Sequence, residues 1–172
     1  MKHVIAISGS VRAVSSTTAL LRAVAHVARD HDVRVTFYDG MRELPWFDPD
    51  VADDDASDAV KQMRATLRDC DAVLFSTPEY AHGVPGVLKN ALDWLVGSGE
   101  LYAKRVAVLN ASNRAKLAHE SLVESLTVMG ATIVVDAAMT VPLAGKALDA
   151  DALARDADVA PVLERVVSAL RG

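Results

Sequence analysis

The chain has 172 residues, of which 51% are hydrophobic and 24% charged, and this composition excludes a disordered or collagen-like protein. Its length fits one domain, so we expect residues 1–172 to fold around a single aliphatic core. A net charge of −5 argues against a general polyanion-binding surface, and nucleic acid is therefore not an expected partner.

The cysteine content and the hydropathy pattern indicate the cellular compartment in which we expect the protein. The single cysteine, Cys70, excludes an intramolecular disulfide and a multi-cysteine zinc site, which favours the reducing cytoplasm. No segment approaches the roughly 18 consecutive apolar residues of a membrane span, and no long apolar export segment begins the chain. We therefore expect a cytoplasmic protein without a membrane partner.

Apolar runs of strand type alternate with helical periodicity along the chain. Residues 4–7 form a continuous apolar run that ends at Ser8, which is typical of a buried parallel strand. Helical spacing then predicts a first helix over about residues 16–29, with Ser15, Ser16 or Thr17 as its N-cap.

The same alternation continues to the carboxyl terminus. A loop rich in Asp and Pro runs to about Asp55, and a loop with Pro142 and Gly145 precedes the last helix, which we expect to bend at Pro161. The further strands are predicted at residues 33–37, 73–75, 106–109 and 132–135, and the further helices at about 59–67, 87–95, 117–129 and 150–170.

Five apolar strands that alternate with helices require parallel pairing with right-handed crossovers. We therefore predict an α/β, flavodoxin-like three-layer sandwich, in which a five-stranded parallel sheet of order 2-1-3-4-5 has helices on both faces. Ligands of such sheets bind beyond the carboxyl ends of the strands, at the switch point between strands 1 and 3. The loops over residues 8–17 and 76–86, with the loop after strand 4, are thus the candidate site.

The loop after the first strand, residues 9–17, reads GSVRAVSST. Its hydroxyl groups, the guanidinium of Arg12 and the unpaired N–H groups of the following helix favour binding of a phosphate dianion. In the alternative interpretation, Ser15 or Ser16 only caps the helix and Arg12 points into solvent. The loop contains neither a G-x-x-x-x-G-K-[ST] nor a G-x-G-x-x-G motif, so two common nucleotide-binding loops are excluded.

The loop after the third strand, residues 76–86, reads STPEYAHGVPG. Its prolines and glycines indicate a stiff, irregular backbone against which a flat heterocycle can lie, with Tyr80 available for an aromatic contact. Alternatively, the segment is only a long connection in which Pro85 starts the next helix.

Together these segments resemble a known family. G-S-x-R-x-x-S after strand 1 and P-E-Y-x-H-G-x-P-G-x-L-K-N-A-x-D-W after strand 3 are similar to motifs of the NADPH-dependent FMN reductase family. The family comprises flavodoxin-like oxidoreductases and includes quinone, chromate and azo reductases, and the similarity in element order extends over about the first 135 residues. The resemblance implies FMN as the cofactor, NADPH or NADH as co-substrate, a small-molecule electron acceptor and a homodimer or homotetramer.

By the same resemblance, Ser10, Arg12 and Ser15 hold the phosphate of FMN, with the hydroxyl groups of Ser16 and Thr17 beside them. Thr17 and Ala81 stand where the family usually has asparagine, and residues 110–114 replace a turn that is often glycine-rich. The residues implied to line the flavin ring are Pro78, Glu79, Tyr80, Ala81, His82 and Gly83 in the second loop and Ser112 after strand 4.

The resemblance also implies a mechanism in which the flavin carries the hydride chemistry by ping-pong turnover, so no catalytic side chain is predicted. His82 has no partner carboxylate evident in the sequence, and no group of residues has metal-ligand spacing. We interpret Lys89, Asn90, Asp93 and Trp94 as packing and subunit contacts. Two alternatives remain open: an FMN electron carrier with a protein partner, and a flavin-free interaction module.

Overall fold

The computed structural model describes residues 1–141 and 143–172, so Pro142, expected in the loop before the last helix, lies outside the described residues. None of the described helices combines the length and the apolar character that crossing a membrane requires. The strands are β1 (Lys2–Ser8), β2 (Val33–Phe37), β3 (Ala72–Ser76), β4 (Arg105–Asn110) and β5 (Thr132–Thr140). The helices are α1 (Ser16–Ala28), α2 (Asp58–Arg68), α3 (Gly86–Val96), α4 (Lys116–Val128), α5 (Ala150–Arg155) and α6 (Ala160–Arg171).

The five strands form one parallel sheet of order β2-β1-β3-β4-β5, which confirms the predicted topology. The sheet is covered on both faces because alternate residues of each strand point to opposite sides. On β1, Val4 and Ala6 pack in a cluster with residues of α1 and α6, whereas Ile5 and Ile7 pack with residues of α2, α3 and α4. The carboxyl ends of β1 and β3 are neighbours at the centre of the sheet.

Two predicted elements have different bounds in the structure. β5 extends to Thr140 and not to residue 135, because pairing with β4 resumes after an irregularity between Val106 and Val108. Asp136 interrupts the apolar run at this point, and the sequence pattern therefore ended the strand too early.

The expected single helix over residues 150–170, bent at Pro161, was wrong: two helices occupy this segment. The break is at Asp156, whose carboxylate accepts hydrogen bonds from the backbone N–H groups of Asp158 (3.0 Å) and Val159 (3.2 Å). Lys146 also donates to this carboxylate, at 2.7 Å. Pro161 lies in the first turn of α6, where a missing N–H group costs nothing.

Candidate functional site

The loops after β1 and β3 touch each other at the centre of the sheet. The backbone N–H of Gly9 donates to the carbonyl of Ser76 at 2.8 Å, which extends the strand pairing by one residue. A Cβ atom on Gly9 would lie 2.5 Å from Thr77 Oγ1 and 3.0 Å from Leu88 Cδ2. Only glycine therefore fits between these two loops at their observed separation.

The loop after β1 is organised by a network of hydroxyl groups. The hydroxyl of Ser15 accepts from the backbone N–H of Thr18 at 3.5 Å, so Ser15 is the N-cap of α1. It also lies 2.8 Å from the hydroxyl of Thr17, which in turn lies 3.2 Å from that of Ser8. Thr17 is 2% exposed, so its hydroxyl is a fixed part of this network.

We call the cavity where the ends of β3 and β4 meet the start of α1 the central cavity. Its volume is about 270 Å³. The structure brings five of the predicted site residues together here: Ser16, Thr17, Pro78, Glu79 and Ser112. Sequence reasoning did not single out the other lining residues, which are Thr77, Asn110, Ala111, Arg114 and Ala115.

Asn110 and Ser112 shape the loop after β4. The side-chain oxygen of Asn110 accepts from the backbone N–H of Ser112 at 3.0 Å, and its amide donates to the carbonyl of Ala115 at 3.1 Å. Ser112 Oγ accepts from the backbone N–H of Arg114 at 3.2 Å. This loop is thus held by side chains rather than by glycines, and it carries a guanidinium group into the lining of the central cavity.

Ser10 and Arg12 line a second cavity, which we call the arginine pocket. It has a volume of about 390 Å³ and lies between the loop after β1, α1 and the segment after β2. Arg22 and Arg42 line it as well, and neither was predicted as a site residue. The structure therefore divides four of the candidate phosphate-binding residues between two cavities on either side of the same loop, whereas Ser15 lines neither.

The segment from Tyr80 to Gly83 forms a tight turn that lines neither cavity. The backbone N–H of Tyr80 donates to the carbonyl of Gly83 at 3.1 Å, and the backbone N–H of Gly83 donates to the carbonyl of Tyr80 at 3.0 Å. The central residues, Ala81 and His82, have φ angles of 50° and 62°. This is the arrangement of a type I′ turn, in which positive φ favours Asn or Gly over Ala.

Ala81→Asn is expected to stabilise the protein by about 0.5–1 kcal/mol, because asparagine tolerates the left-handed backbone region better than alanine does. The free energy of unfolding in urea measures the effect. Ala65→Asn is the matched control, since Ala65 is exposed in the middle of α2 and the change there should destabilise by roughly half a kcal/mol. Equal effects at both positions would contradict the assignment of strain to the turn.

Glu79 joins this turn to α4. Its Oε2 atom accepts a hydrogen bond from the backbone N–H of Ala118, at 2.9 Å, in the first turn of α4. Its Oε1 atom lies 3.1 Å from Nδ1 of His82, which supplies the carboxylate partner that the sequence did not reveal. The hydrogen bond from Ala118 is the main cause that lowers the pKa of Glu79, and His82 adds to it.

Glu79→Gln is expected to destabilise the protein near neutral pH, because a carboxylate is a better acceptor than an amide at a helix N-terminus. The folded protein lowers the pKa of Glu79 below its ordinary value of 4.5. The stabilisation is therefore complete above that value and is lost as the pH falls through the lower, folded pKa. Urea midpoints of the two proteins should differ by a constant amount well above pH 4.5 and converge as the pH falls through the folded pKa, which lies below that value. If the difference in urea midpoint does not change with pH, the effect of the substitution comes from the shape of the side chain and not from its charge.

The helix after the second loop holds a long connection in place. Asn90 and Trp94, one turn apart on α3, both donate from their side chains to the carbonyl of Pro45, each at 2.9 Å. The Trp94 ring also packs edge-on against Phe47, with centroids 5.2 Å apart. Both residues thus have the packing role predicted for them. Among the described residues, no group of three or more His, Cys, Asp or Glu side chains is placed to hold a metal ion.

Comparison with known proteins identifies relatives. The chain is 37% identical over 109 residues to a probable NADPH:quinone oxidoreductase of Oryza sativa, an alignment that covers 62% of this chain and 54% of that protein. It is 37% identical over 112 residues to an NAD(P)H-dependent FMN reductase of Pseudomonas aeruginosa, covering 63% and 59%. The matched segments thus span little more than half the length of these relatives.

Solved structures give the same picture at the level of the fold. The flavoenzyme NAD(P)H:(acceptor) oxidoreductase FerB from Paracoccus denitrificans superposes with a TM-score of 0.76 and 26% identity, over 99% of this chain and 95% of that one. Flavodoxin 1 of Bacillus cereus, at 18% identity and a TM-score of 0.65, shares the fold over 99% of this chain and 97% of its own. The sequence pattern of the NADPH-dependent FMN reductases matches residues 2–146, which confirms the resemblance drawn from the two loop motifs. The chain therefore belongs to the NADPH-dependent FMN reductase family.

Proposed function

We propose that the chain binds FMN at the central cavity and is an NAD(P)H-dependent oxidoreductase. The observation that carries this proposal is the meeting of hydroxyl groups, a guanidinium and the start of α1 beyond the carboxyl ends of β3 and β4, in a chain of this family. Ligands of doubly wound sheets bind at the switch point between β1 and β3, which the start of α1 and residues 77–79 of this cavity flank.

The chemistry of the lining residues fits a flavin mononucleotide. The first N–H groups of α1 and the hydroxyls of Ser16 and Thr17 are donors for a phosphate ester, and Ser15 fixes the helix start. In this proposal Ser10 and Arg12 complete the phosphate site, and the exposed Arg12 side chain turns from the arginine pocket toward the phosphate. The ring lies against Pro78 and Glu79, with Ser112 beside it and the turn of residues 80–83 at its edge.

When bound, FMN supplies the redox chemistry, by which a hydride passes from NADPH or NADH to a quinone, free flavin, chromate or azo compound in ping-pong turnover. The residues of the chain bind the flavin and orient it. Glu79 keeps the second loop against α4 through Ala118, and Gly9 allows the first and second loops to touch. This proposal retains the expectation, drawn from the resemblance, that no side chain acts as a catalytic acid or base.

The experiment is to mix the purified protein with FMN, remove unbound flavin, and record the visible spectrum before and after addition of NADPH or NADH. Retained yellow colour that bleaches, and recovers on addition of a quinone with turnover, supports the proposal. Colour without reduction supports the electron carrier. No retained colour supports the flavin-free module and contradicts the proposal.

We further propose that residues 1–172 act as one FMN-binding domain and assemble as a homodimer or homotetramer. Both core clusters pack on the same five-stranded sheet. A groove of about 300 Å³ between α3 and α4 leaves Val96 62% exposed and Val128 77% exposed. Lys89 and Asp93, interpreted above as subunit contacts, line this groove, which makes it our candidate for the subunit interface.

Val128→Glu is expected to lower the molar mass in solution, from dimer to monomer or from tetramer to dimer, because it places a charge in the proposed contact. Size-exclusion chromatography with light scattering measures the mass. Val135→Glu is the matched control, since Val135 is 79% exposed on β5, away from the groove, and should leave the assembly intact. An oligomer that survives Val128→Glu would place the interface elsewhere.

A further inference from the structure

The arginine pocket has features that the proposed flavin site does not use. Besides Ser10 and Arg12, it is lined by Arg22 on α1 and by Tyr38 and Arg42 in the segment after β2. Its volume of about 390 Å³ lies within the range of roughly 300–1,000 Å³ typical of pockets for small molecules. A ligand of this pocket can therefore be larger than a bare ion.

The pocket is positive in a chain that is negative overall. Three arginines and one carboxylate, Asp39, line it, whereas the whole chain has a net charge of −5. Within residues 1–141 and 143–172, no hydrogen bond or ion pair engages the guanidinium of Arg12 or Arg22, and Asp39 pairs with none of the three arginines. The charge of Arg22, which the proposed flavin site does not use, is thus available to a ligand, and a planar guanidinium matches the geometry of phosphate oxygens.

Two contacts fix the wall of the pocket on the β2 side. Arg42 Nη2 donates to the carbonyl of Val11, which ties the segment after β2 to the loop after β1. The hydroxyl of Tyr38 lies 2.7 Å from the position that a Cβ atom on Gly40 would occupy, so glycine allows this ring to fold back. Burial, with a smaller contribution from Glu43, raises the pKa of Tyr38 to about 12. Tyr38 therefore keeps its proton and can donate a hydrogen bond to an anion at neutral pH.

We propose that the arginine pocket is a second binding site, for a phosphate dianion, separate from the site of the flavin phosphate. Arg22, Arg42 and Tyr38 are its own residues, whereas Ser10 and Arg12, which we assign to the flavin phosphate, lie at the boundary between the two sites. The phosphate can belong to the co-substrate, as the 2′-phosphate of NADPH, or can be free inorganic phosphate. The nucleotide is the source that the pocket volume favours, and this assignment rests on the proposed function. The segment of residues 10–18 contributes to the lining of both the central cavity and the arginine pocket, so the two cavities are neighbours.

The experiment uses calorimetric titration of the FMN-saturated protein at pH 7.5 with adenosine 2′,5′-bisphosphate, adenosine 5′-monophosphate and inorganic phosphate. We expect the bisphosphate to bind at least about tenfold more tightly than the monophosphate, and Arg22→Ala and Arg42→Ala each to weaken it by about 10- to 150-fold. Arg34→Ala is the matched control, because this exposed arginine on β2 lines a different cavity. The Arg34→Ala protein should bind the bisphosphate as tightly as the wild type does.

The outcomes separate the sources of phosphate and the two proposals. Inorganic phosphate that binds as tightly as the bisphosphate, and is lost in Arg22→Ala, keeps the site but overturns the nucleotide as its source. Equal binding of the bisphosphate and the monophosphate likewise overturns the 2′-phosphate as the source, and no effect of either variant on any of the three ligands overturns the proposal. If Arg22→Ala also weakens FMN binding tenfold or more, the pocket belongs to the flavin site and the proposal is wrong. If FMN does not bind at all, the proposed function fails, while the same titrations of the protein alone still test the pocket.

Discussion

Arg12→Ala is expected to weaken FMN binding by about 1.5–3 kcal/mol, the range for a hydrogen bond to a charged group. A phosphate ester carries a charge of about −1.5 to −2 near pH 7, and its transfer from water into a protein site requires positive charge nearby. Within the loop after β1, Arg12 is the only cationic side chain. Fluorescence titration of the flavin with wild-type and variant protein measures the change.

Two further variants make this result specific. Arg34→Ala removes an exposed arginine from β2 and should leave FMN affinity unchanged, which controls for the loss of net charge. Arg114→Ala removes the guanidinium that lines the central cavity from the β4 side. If Arg114→Ala weakens binding and Arg12→Ala does not, the phosphate lies on the β4 side of the loop and the role assigned to Arg12 is wrong.

The order of the elements and the topology of the sheet could be predicted from the sequence because local patterns determine them. Buried parallel strands are short continuous apolar runs in the sequence. Both core clusters contain residues from these runs and residues that recur at helical spacing. The end of β5 and the break at Asp156 could not be predicted in this way. The end of β5 depends on pairing with β4, a distant partner in the chain. The break at Asp156 depends on local hydrogen bonds from the N–H groups of Asp158 and Val159, which a pattern of apolar residues does not register.

The candidate site shows the same division between local and distant causes. The loops could be located in advance because the carboxyl ends of β1 and β3 must meet at a topological switch point. The separation of Arg12 from the central cavity depends on side-chain direction, which no motif specifies. Arg22 could have been found from its position one turn after Thr18 on α1, whereas the contact from Glu79 to Ala118 joins residues 39 apart in the chain.

Gly9→Ala is expected to destabilise the protein by about 1–3 kcal/mol, as overpacking of a buried site does. The new methyl group would lie 2.5 Å from Thr77 Oγ1 and 3.0 Å from Leu88 Cδ2. Neither contact is easily relieved, because Thr77 is 3% exposed with a stiff β-branched side chain, and Leu88 is fully buried. Since Thr77 lines the central cavity, its displacement should also weaken FMN binding.

Gly97→Ala is the control for this change, because a Cβ atom there meets nothing within 4 Å and the backbone is ordinary, with φ of −87°. This change should leave the free energy of unfolding unchanged or raise it by up to about 1 kcal/mol, because alanine reduces the conformational entropy of the unfolded chain. In the double variant Gly9→Ala/Thr77→Ala, loss of the threonine hydroxyl removes the closest contact. The double variant should therefore be less destabilised than the sum of the single variants, by at least about 0.5 kcal/mol. Additive losses would mean that the two loops do not depend on this contact, and that the glycine is required for another reason.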